Sequence, residues 1–539
     1  MARSLKAARR ARGYAVRLSG GQTTTQIRAA ALQKMQRVML AAQTNNPQDV
    51  APLGLTATSS TTATYPNQYV YSANTDKFEV FGGVPMVTSD PNYYVIVSSD
   101  DTPITSTTIS PFMPNNKPLW QYFGTWNFKL TNGRFIEIVS RESGDISLRV
   151  TVNGRYAFAG RTGYRVNAQT GVINYTVIDL GATGTYEIGL EVSGDFRFNG
   201  VRVEAGATIS KPTRADTVLS LNAGDSYTAG TANIVKHRGD DYAEVKDRYL
   251  GFRGTMAGVV GSGYVTTGGR KTAQNYYTDF IKPTLLASNQ YDVIFLNWGF
   301  NDAGSAAPTV AAAYALWQQV RADNPNALIV IGGMWTPPSQ VLATLQAREQ
   351  ALLAQFQAWA DPFSIFIQSA QPNSLRWMTG TGNIGAPAKD GNNDIIVYSD
   401  NIHPTDSFNN DSGNYFIGTR YRDAFIKAFG TLAAAYNVSS VPAYPLVISG
   451  TSAIAQAGVP VSLTLPSGTA ALIQPWSFGG AGTTIAWSTS SGRPPGMSAA
   501  NSSFGTMTGT PTTPGVYNFT LTASDGASSV TLPYTVTVN

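Results

Sequence analysis

From residue 213 to residue 437, short apolar runs alternate with longer amphipathic stretches, and this alternation constrains the fold more than any other feature of the chain. The apolar runs predict strands over 217–223, 255–260, 292–298, 327–332 and 364–368. Apolar residues three and four positions apart predict helices over Thr309–Ala322, Gln340–Ala360 and Tyr415–Tyr436. Because strands and helices in alternation build a parallel sheet covered on both faces, we expect a three-layer α/β domain over 213–437.

Residues able to act on a substrate stand just after three of these strands. Ser226 ends a Gly-Asp-Ser sequence after the first strand, and Gly261 lies in a glycine-rich turn after the second. Asn301 follows the third strand in a Gly-Phe-Asn-Asp sequence. In open α/β sheets, ligands bind at the carboxyl ends of the strands, so we expect these residues to face one site. The neighbouring Asp225 and Asp302 are predicted to be structural, accepting hydrogen bonds from nearby backbone N–H groups.

One of the chain's two histidines completes the pattern. His403 follows Asp400 by three residues and stands just before Pro404. A serine hydroxyl is a poor nucleophile until an imidazole removes its proton, and an acid beside the imidazole fixes its tautomer. We therefore predict a catalytic triad in the order Ser226, Asp400, His403. The other histidine, His237, lies between two cationic residues, and we interpret it as a solvated surface residue.

Together these segments resemble the SGNH (GDSL-like) hydrolase family over roughly residues 213–437. The resemblance is carried by four sequence blocks in the family's order, which contain Ser226, Gly261, Asn301, and Asp400 with His403. The glycine block departs from the usual pattern, since Val260 stands where many members have a second glycine. This departure leaves the register of the second backbone donor open.

The family's enzymes are esterases, lipases and carbohydrate deacetylases, and the resemblance implies a role for each residue. Ser226 would attack an ester carbonyl, His403 would act as base and then as acid, and Asp400 would orient His403. The backbone N–H groups of Ser226 and Gly261, with the Asn301 amide, would form the oxyanion hole. The resemblance implies neither a metal nor a cofactor.

Residues 65–212 change to a strand-rich pattern without helical stretches, which predicts a β-sandwich of jelly-roll type. Asn153-Gly154 predicts a hairpin turn within it. This order resembles the sandwich that precedes the catalytic domain in some SGNH carbohydrate esterases. Its aromatic residues are candidates for holding a sugar, with burial in a core or interface as the alternative, and they are Trp120, Tyr122 and Trp126. Trp298, beside the Asn301 block, is a further candidate for substrate binding.

Residues 445–539 carry almost no charge and many Thr, Ser, Gly and Pro residues, with short strand-like runs. They resemble the immunoglobulin-like modules of bacterial surface and phage proteins. The most specific part is Gly509-Thr510-Pro511 followed by Gly515-Val516-Tyr517. The chain has no cysteine, so packing alone would hold this Ig-like β-sandwich together.

The amino-terminal part predicts a basic, partly helical arm over 1–50 and a Pro/Thr/Ser-rich linker over 51–64. Residues 1–48 hold nine basic residues and no acid, whereas the remainder has 38 − 9 = 29 basic and 33 acidic residues. Apolar spacing predicts a helix over Thr24–Ala42. The arm lacks the continuous apolar segment of a secretory signal. A transit peptide or a nucleic-acid contact would also be basic, but we expect a docking arm for another protein and no nucleic-acid partner.

The combination predicts a serine esterase that removes acyl groups, O-acetyl groups above all, from a cell-surface glycan. A hydrolase between two sandwich modules, without a secretion signal and with a basic arm, favours a phage virion tail or appendage. Residues 1–48 would then bind virion structural proteins, and we expect a homo-oligomer. The chain has no apolar run of about 18 residues, so no membrane span is expected. The alternatives are a secreted bacterial carbohydrate esterase and a structural or receptor-binding virion protein with a vestigial hydrolase fold.

Overall fold

The structure is a computed structural model. It describes residues 22–44, 52–100, 120–142, 147–158, 172–194, 196–214, 216–230, 238–371, 376–406, 413–444, 446–449, 461–473, 475–480, 485–503 and 505–539. The predictions for His237 and for the first part of the basic arm lie outside the described residues. The described part contains a helix, a large antiparallel sheet, a parallel sheet with helices, and a group of small carboxyl-terminal sheets.

Helix α1 (Thr24–Thr44) is followed by eleven described strands that form one antiparallel sheet. Two short 3-10 helices, Tyr71–Ala73 and Thr75–Lys77, lie between the second and third strands. The strands are β1 (Thr56–Ser60), β2 (Asn67–Val70), β3 (Glu79–Phe81), β4 (Val84–Val87), β5 (Tyr94–Asp100), β6 (Trp120–Glu142), β7 (Ser147–Val152), β8 (Arg155–Tyr156), β9 (Ile173–Ser193), β10 (Phe196–Val203) and β11 (Thr208–Ser210). Their main order is β2-β10-β5-β6-β9-β7-β8. The strand-rich character predicted for this region is confirmed.

Two long strands link both halves of this sheet. β6 and β9 have 23 and 21 residues and pair with each other along most of their length, with a register shift at Gly133. Trp126, Phe128 and Ile136 of β6 are completely buried and form part of one apolar core with β9 and β10. The turn between β7 and β8 has φ values of 50° at Asn153 and 80° at Gly154. A two-residue hairpin turn of this kind requires positive φ at both positions, which agrees with the predicted turn.

The segment predicted as a linker over 51–64 contains strand β1. β1 pairs with β9 from Thr56 opposite Asp179 to Ser60 opposite Tyr175. The linker prediction is therefore wrong for these residues. A Thr/Ser-rich composition does not exclude a strand, because β-branched threonine suits a half-exposed strand surface.

The second region is a parallel α/β domain. Its strands are β12 (Leu219–Gly224), β13 (Arg253–Gly258), β14 (Val293–Asn297), β15 (Leu328–Gly332) and β16 (Ser364–Ile367), in the order β13-β12-β14-β15-β16. Its helices are α2 (Ser226–Ala229), α3 (Tyr242–Leu250), α4 (Ala273–Tyr276), α5 (Ala306–Asp323), α6 (Leu342–Trp359), α7 (Asn393–Ile396) and α8 (Gly413–Ala435). A 3-10 helix spans Arg238–Asp240, and α4 continues as a π-helix over Tyr277–Leu286. The parallel sheet predicted from the alternation is confirmed.

Helix α1, predicted as part of a free docking arm, packs against the α/β domain. Leu32, Met35 and Met39 are at most 1% exposed and belong to the domain's own apolar core. Lys34 forms an ion pair of 2.7 Å with Asp292, whose other carboxylate oxygen accepts the backbone N–H of Leu219 at the start of β12. The interpretation of residues 1–48 as one separate arm is therefore wrong from Thr24 onward. An apolar stripe on a helix does not reveal whether its partner lies in the same chain.

The third region consists of small sheets over 447–538. Its strands are β17 (Val447–Ser449), β18 (Val461–Leu465), β19 (Ala471–Ile473), β20 (Trp476–Phe478), β21 (Ala486–Thr489), β22 (Met507–Gly509), β23 (Gly515–Ser524) and β24 (Ser529–Val538). β18-β24-β23-β21 form one sheet, while β17 pairs with β20 and β19 with β22. Phe519 and Tyr534 stack with ring centroids 5.4 Å apart in the core of this region. Among the described helices of the whole chain, none combines the length and apolarity that a membrane span requires.

The packing of α1 generates a prediction about stability. Met35→Ala should destabilise the α/β domain by about 2–5 kcal/mol, because the substitution leaves a cavity in a closed core. Gln33→Ala, on the exposed face of the same helix, should change little. Thermal unfolding followed by circular dichroism tests this. Equal unfolding temperatures for the two variants would show that α1 does not contribute to the apolar core.

Candidate active site

Ser226 lies where β12 ends and α2 begins. Asp225 caps α2, and its carboxylate accepts the backbone N–H of Tyr227 at 3.0 Å. The neighbouring strand comes unusually close to this helix, since a Cβ atom on Gly258 would lie 2.1 Å from the backbone nitrogen of Ala229. Only glycine at position 258 allows this approach. Ser226 is 4% exposed and lies at the carboxyl edge of the sheet, directly after β12.

The structure brings Ser226, His403 and Asp400 into one hydrogen-bonded row. Nε2 of His403 lies 2.8 Å from Oγ of Ser226, and Nδ1 of His403 lies 2.6 Å from Oδ2 of Asp400. The carboxylate can only accept, so Nδ1 carries the hydrogen in the neutral ring and Nε2 is free to accept the serine proton. The three residues are thus arranged as a serine nucleophile, a base and an orienting acid.

A tight turn fixes the acid and the base relative to each other. Oδ1 of Asp400 accepts the backbone N–H groups of Ile402 and His403 at 2.9 and 3.0 Å. Asn401, between Asp400 and Ile402, has a φ of 64°, a left-handed conformation that asparagine tolerates better than most residues. The hydroxyl of Tyr227 donates to the carbonyl of Ile402. The helix of the nucleophile therefore holds the loop of the base directly.

The electrostatics of Asp400 follow from the same contacts. Partial burial acts to raise the pKa of Asp400, but hydrogen bonds from the His403 ring and from the two backbone N–H groups outweigh burial. The pKa of Asp400 therefore lies below its ordinary value. The carboxylate stays ionised across the neutral range, where it can stabilise a protonated His403.

The glycine turn and the Asn301 turn flank Ser226, because β13 and β14 are the two neighbours of β12. Gly261 lies three residues beyond β13, with a φ of 72°. Asn301 lies four residues beyond β14, and its Nδ2 donates to the carbonyl of Ser262 at 2.9 Å. An amide nitrogen has two hydrogens, so one remains for a ligand. The two predicted donors are therefore on adjoining, connected turns beside Ser226.

Several buried groups clamp these two turns together. Asp302 accepts backbone N–H groups of Tyr264, Val265 and Thr266 at 2.9–3.0 Å, which agrees with its predicted structural role. Arg348 of α6, 3% exposed, donates to the carbonyl of Gly299 at 3.1 Å. Sequence reasoning missed Arg348, since it lies far along the chain in a helix without any motif.

Two of the aromatic residues predicted to contact substrate, Trp298 and Trp126, are buried in packing contacts. Trp298 is 1% exposed, and its indole nitrogen donates to Oγ of Ser262 at 2.9 Å, so it supports the glycine turn from inside. Trp126 is completely buried in the core of the amino-terminal sheet. These two substrate-binding predictions are wrong because both rings are needed for packing. Trp120 and Tyr122 lie in β6, but their side chains are outside the described part of the structure.

Asp225 is the other titratable group beside the nucleophile. Burial raises the pKa of Asp225 to about 8, with a further increase from the Asp302 carboxylate and an opposing effect of the Tyr227 N–H. Near neutral pH this carboxyl group is largely protonated. Within the described ranges, no three His, Asp or Glu side chains gather closely enough to hold a metal ion.

Comparisons with known families agree with this geometry. Residues 223–409 match the GDSL-like Lipase/Acylhydrolase family. Residues 444–539 match the family described as "Putative Ig domain". A search of curated proteins found no match. The first match contains all five residues predicted for the triad and the oxyanion hole, from Ser226 to His403.

Solved structures to which the chain is similar include an active-site mutant of a family two carbohydrate esterase from Clostridium thermocellum. It has 13% identity and a TM-score of 0.45, and the alignment covers 65% of this chain and 99% of that one. An acetyl xylan esterase from Butyrivibrio proteoclasticus has 13% identity and a TM-score of 0.38, covering 56% and 90% of the two chains.

The donor role of Asn301 yields a kinetic prediction. Asn301→Ala should lower kcat for an aryl acetate by about 10²–10³-fold, because removal of one oxyanion donor typically costs that much. Asn275→Ala, which removes an exposed amide, should leave kcat unchanged. Steady-state kinetics on both variants check this. A normal kcat in Asn301→Ala would show that the Asn301 amide does not stabilise the oxyanion.

The raised pKa of Asp225 yields a prediction about stability and pH. The folded chain keeps a proton on Asp225 between its ordinary pKa of 3.8 and about 8, whereas the unfolded chain releases it. The contribution of Asp225 to stability is therefore present below about pH 4 and is lost as the pH rises toward 8.

Asparagine keeps the capping oxygen and cannot ionise. Between pH 5 and pH 8, the unfolding temperature of Asp225→Asn should therefore fall less than that of the wild type. This pH range lies above the ordinary pKa of Asp225 and reaches its raised pKa. The exposed substitution Asp279→Asn serves as the control. Parallel pH profiles for wild type and Asp225→Asn would contradict the prediction.

Proposed function

We propose that the chain removes acyl groups, O-acetyl groups above all, from a cell-surface glycan. The proposal starts from residues 223–409, which form a GDSL-like hydrolase domain that acts as a serine ester hydrolase. The observation that carries the proposal is the continuous row of hydrogen bonds from Ser226 through His403 to Asp400, at 2.8 and 2.6 Å. A serine at that distance from a neutral imidazole can lose its proton as it attacks.

The acylation step follows from these contacts. Oγ of Ser226 attacks the ester carbonyl carbon while its proton passes to Nε2 of His403, and the carbonyl electron pair moves onto the oxygen. The backbone N–H groups of Ser226 and Gly261 and the Asn301 amide stabilise this oxyanion. When the intermediate collapses, the bond to the sugar oxygen breaks and His403 gives its proton to the leaving hydroxyl.

Deacylation repeats the sequence with water. Nε2 of His403 takes a proton from a water molecule, whose oxygen attacks the acyl carbon attached to Ser226. The tetrahedral intermediate then collapses, the proton returns to Oγ of Ser226, and the carboxylic acid leaves. Asp400 keeps its charge throughout and stabilises the protonated imidazole.

The glycan is proposed from the organisation of the chain and from the surface beside the triad. Two sheet-rich modules flank the hydrolase domain, an arrangement suited to proteins that act on extracellular polysaccharide. Tyr398, which contacts the backbone of His403, is 36% exposed, and Ile384, which contacts the neighbouring Val397, is 45% exposed. The backbone N–H of Tyr398 donates to the carbonyl of His403, and that of Ile384 donates to the carbonyl of Val397. An exposed aromatic ring and an aliphatic side chain suit the apolar face of a sugar.

We also propose that the protein belongs to a phage virion, as the sequence predicts, but with a shorter partner-binding segment than residues 1–48. Three of the nine basic residues of the arm contact the α/β domain, since Lys34 and Arg37 form ion pairs and Arg28 donates to the carbonyl of Pro325. The remaining six basic residues lie within 1–21, and we propose that they bind virion structural proteins. Mass spectrometry of purified phage particles tests the setting, and absence of the chain from them would contradict it. The secreted esterase remains the alternative setting.

The triad yields the test of the activity. Ser226→Ala and His403→Ala should each lower kcat for an aryl acetate by about 10⁴-fold or more, because groups that act as one unit fail together. Asp400→Asn should lose less than either, since the acid acts only through His403. The exposed Ser305→Ala is the matched control and should keep full turnover. Turnover near the normal rate in Ser226→Ala would refute the proposal, and no turnover by wild type on any ester would favour the vestigial alternative.

A further inference from the structure

The amino-terminal sheet touches the α/β domain at the base of the glycine turn. Ser99 of β5 is completely buried, and its Oγ lies 2.5 Å from the carbonyl oxygen of Gly258, the last residue of β13. The same Oγ lies 2.9 Å from the hydroxyl of Tyr276 in α4. Ser99 therefore joins three elements: its own sheet, the strand that leads to Gly261, and the helix that follows the turn.

The direction of these hydrogen bonds is fixed by chemistry. The carbonyl of Gly258 can only accept, so the Ser99 hydroxyl donates to it. Oγ of Ser99 then accepts from the Tyr276 hydroxyl, whose oxygen in turn accepts the backbone N–H of Asp100 at 3.3 Å. In this row of hydrogen bonds, each hydroxyl group donates its single hydrogen to the next acceptor. Successive hydrogen bonds of this kind polarise and strengthen one another in a dry environment.

The other side of Gly258 faces α2, the helix that begins at Ser226. This proximity allows no side chain at position 258, and the N–H of Val259 donates to the carbonyl of Gly224 at 2.9 Å. Residues 259–263, here named the oxyanion turn, begin at this point. Their far end is also fixed, because the N–H of Ala273 in α4 donates to the carbonyl of Gly263 at 2.9 Å. Both ends of the oxyanion turn are therefore connected to Ser99, one directly and one through the helix of Tyr276.

We infer that Ser99 is a positioning residue of the esterase: it orients the Gly258 carbonyl and thereby the oxyanion turn that carries the Gly261 N–H. This inference rests on the proposed function. Ser99 does not touch the reacting atoms, and it acts through the Gly258–Val259 peptide at the start of the oxyanion turn. The amino-terminal sheet is on this account part of the catalytic unit. Small displacements of a donor matter, since misplacement by about 1 Å can cost about 10²-fold in rate.

The first test compares Ser99→Ala with wild type on an aryl acetate. Without the hydroxyl, the Gly258 carbonyl loses its partner, and the oxyanion turn is free to shift. We expect kcat to fall at least about tenfold, with KM changed by no more than about twofold, because the lost interaction stabilises only the transition state. Binding of phenylboronic acid, whose tetrahedral adduct occupies the oxyanion hole, should weaken by a similar factor. A purely structural role would lower the amount of folded enzyme without this pattern.

A second variant keeps the inference testable if Ser99→Ala does not fold. Tyr276→Phe retains the ring, which stacks on Phe280 at 5.5 Å, and removes only the hydroxyl that donates to Ser99. It should lower kcat and boronate affinity in the same direction but less. Tyr277→Phe is the matched control, because the Tyr277 hydroxyl contacts Asp323 instead. In the double variant of Ser99→Ala and Tyr276→Phe, the two effects should be less than additive.

The outcomes separate the inference from the proposed function. Normal kcat and normal boronate affinity in both Ser99→Ala and Tyr276→Phe, with Ser226→Ala inactive, would overturn the positioning role and leave the esterase in place. Equal losses in Tyr276→Phe and Tyr277→Phe would also overturn it, because the effect would then not be specific to Ser99. Full turnover in Ser226→Ala would instead remove the proposed function itself.

Discussion

The hydrogen bond between Oγ of Ser226 and Nε2 of His403 joins residues 177 positions apart, and the site depends on it. It forms because β12 lies in the sheet between β13 and β14, and because the turn of His403 is held against α2 by the Tyr227 hydroxyl. The carboxyl edges of three parallel strands then deliver the nucleophile and the predicted oxyanion donors to one place. Each of these contacts fixes backbone, so the geometry exists before a substrate binds.

The close packing behind the nucleophile explains several other features. Gly258 must lack a side chain because α2 lies against it, and its carbonyl accepts the Ser99 hydroxyl of the amino-terminal sheet. Arg149 of β7 is 1% exposed and pairs with Asp240, just before α3. A buried charge without its partner is strongly destabilising, so separating the sheet from the α/β domain would leave Arg149 and Asp240 in an unfavourable state. The two regions share one buried interface.

Sequence reasoning found the parallel sheet and brought out the triad because both have local signatures. Apolar runs mark strands, and Ser226, Asp400 and His403 stand in short motifs. It could not find which surfaces pack together. The apolar stripe of Leu32, Met35 and Met39 has the same pattern whether the helix binds its own domain or another protein. The exposure of Trp126 and Trp298 could not be read from residue type either, because an aromatic ring serves equally as core or as a binding surface.

The central claim is that Ser226 is a nucleophile activated by His403. Intact-protein mass spectrometry after treatment with an alkyl fluorophosphonate measures this most directly, because the reagent phosphonylates only an activated serine and leaves a stable adduct. The account predicts one adduct per chain, located on Ser226 by peptide mapping, with labelling abolished in Ser226→Ala and strongly slowed in His403→Ala. Labelling of another residue, or labelling of Ser226 at the same rate with and without His403, would contradict it.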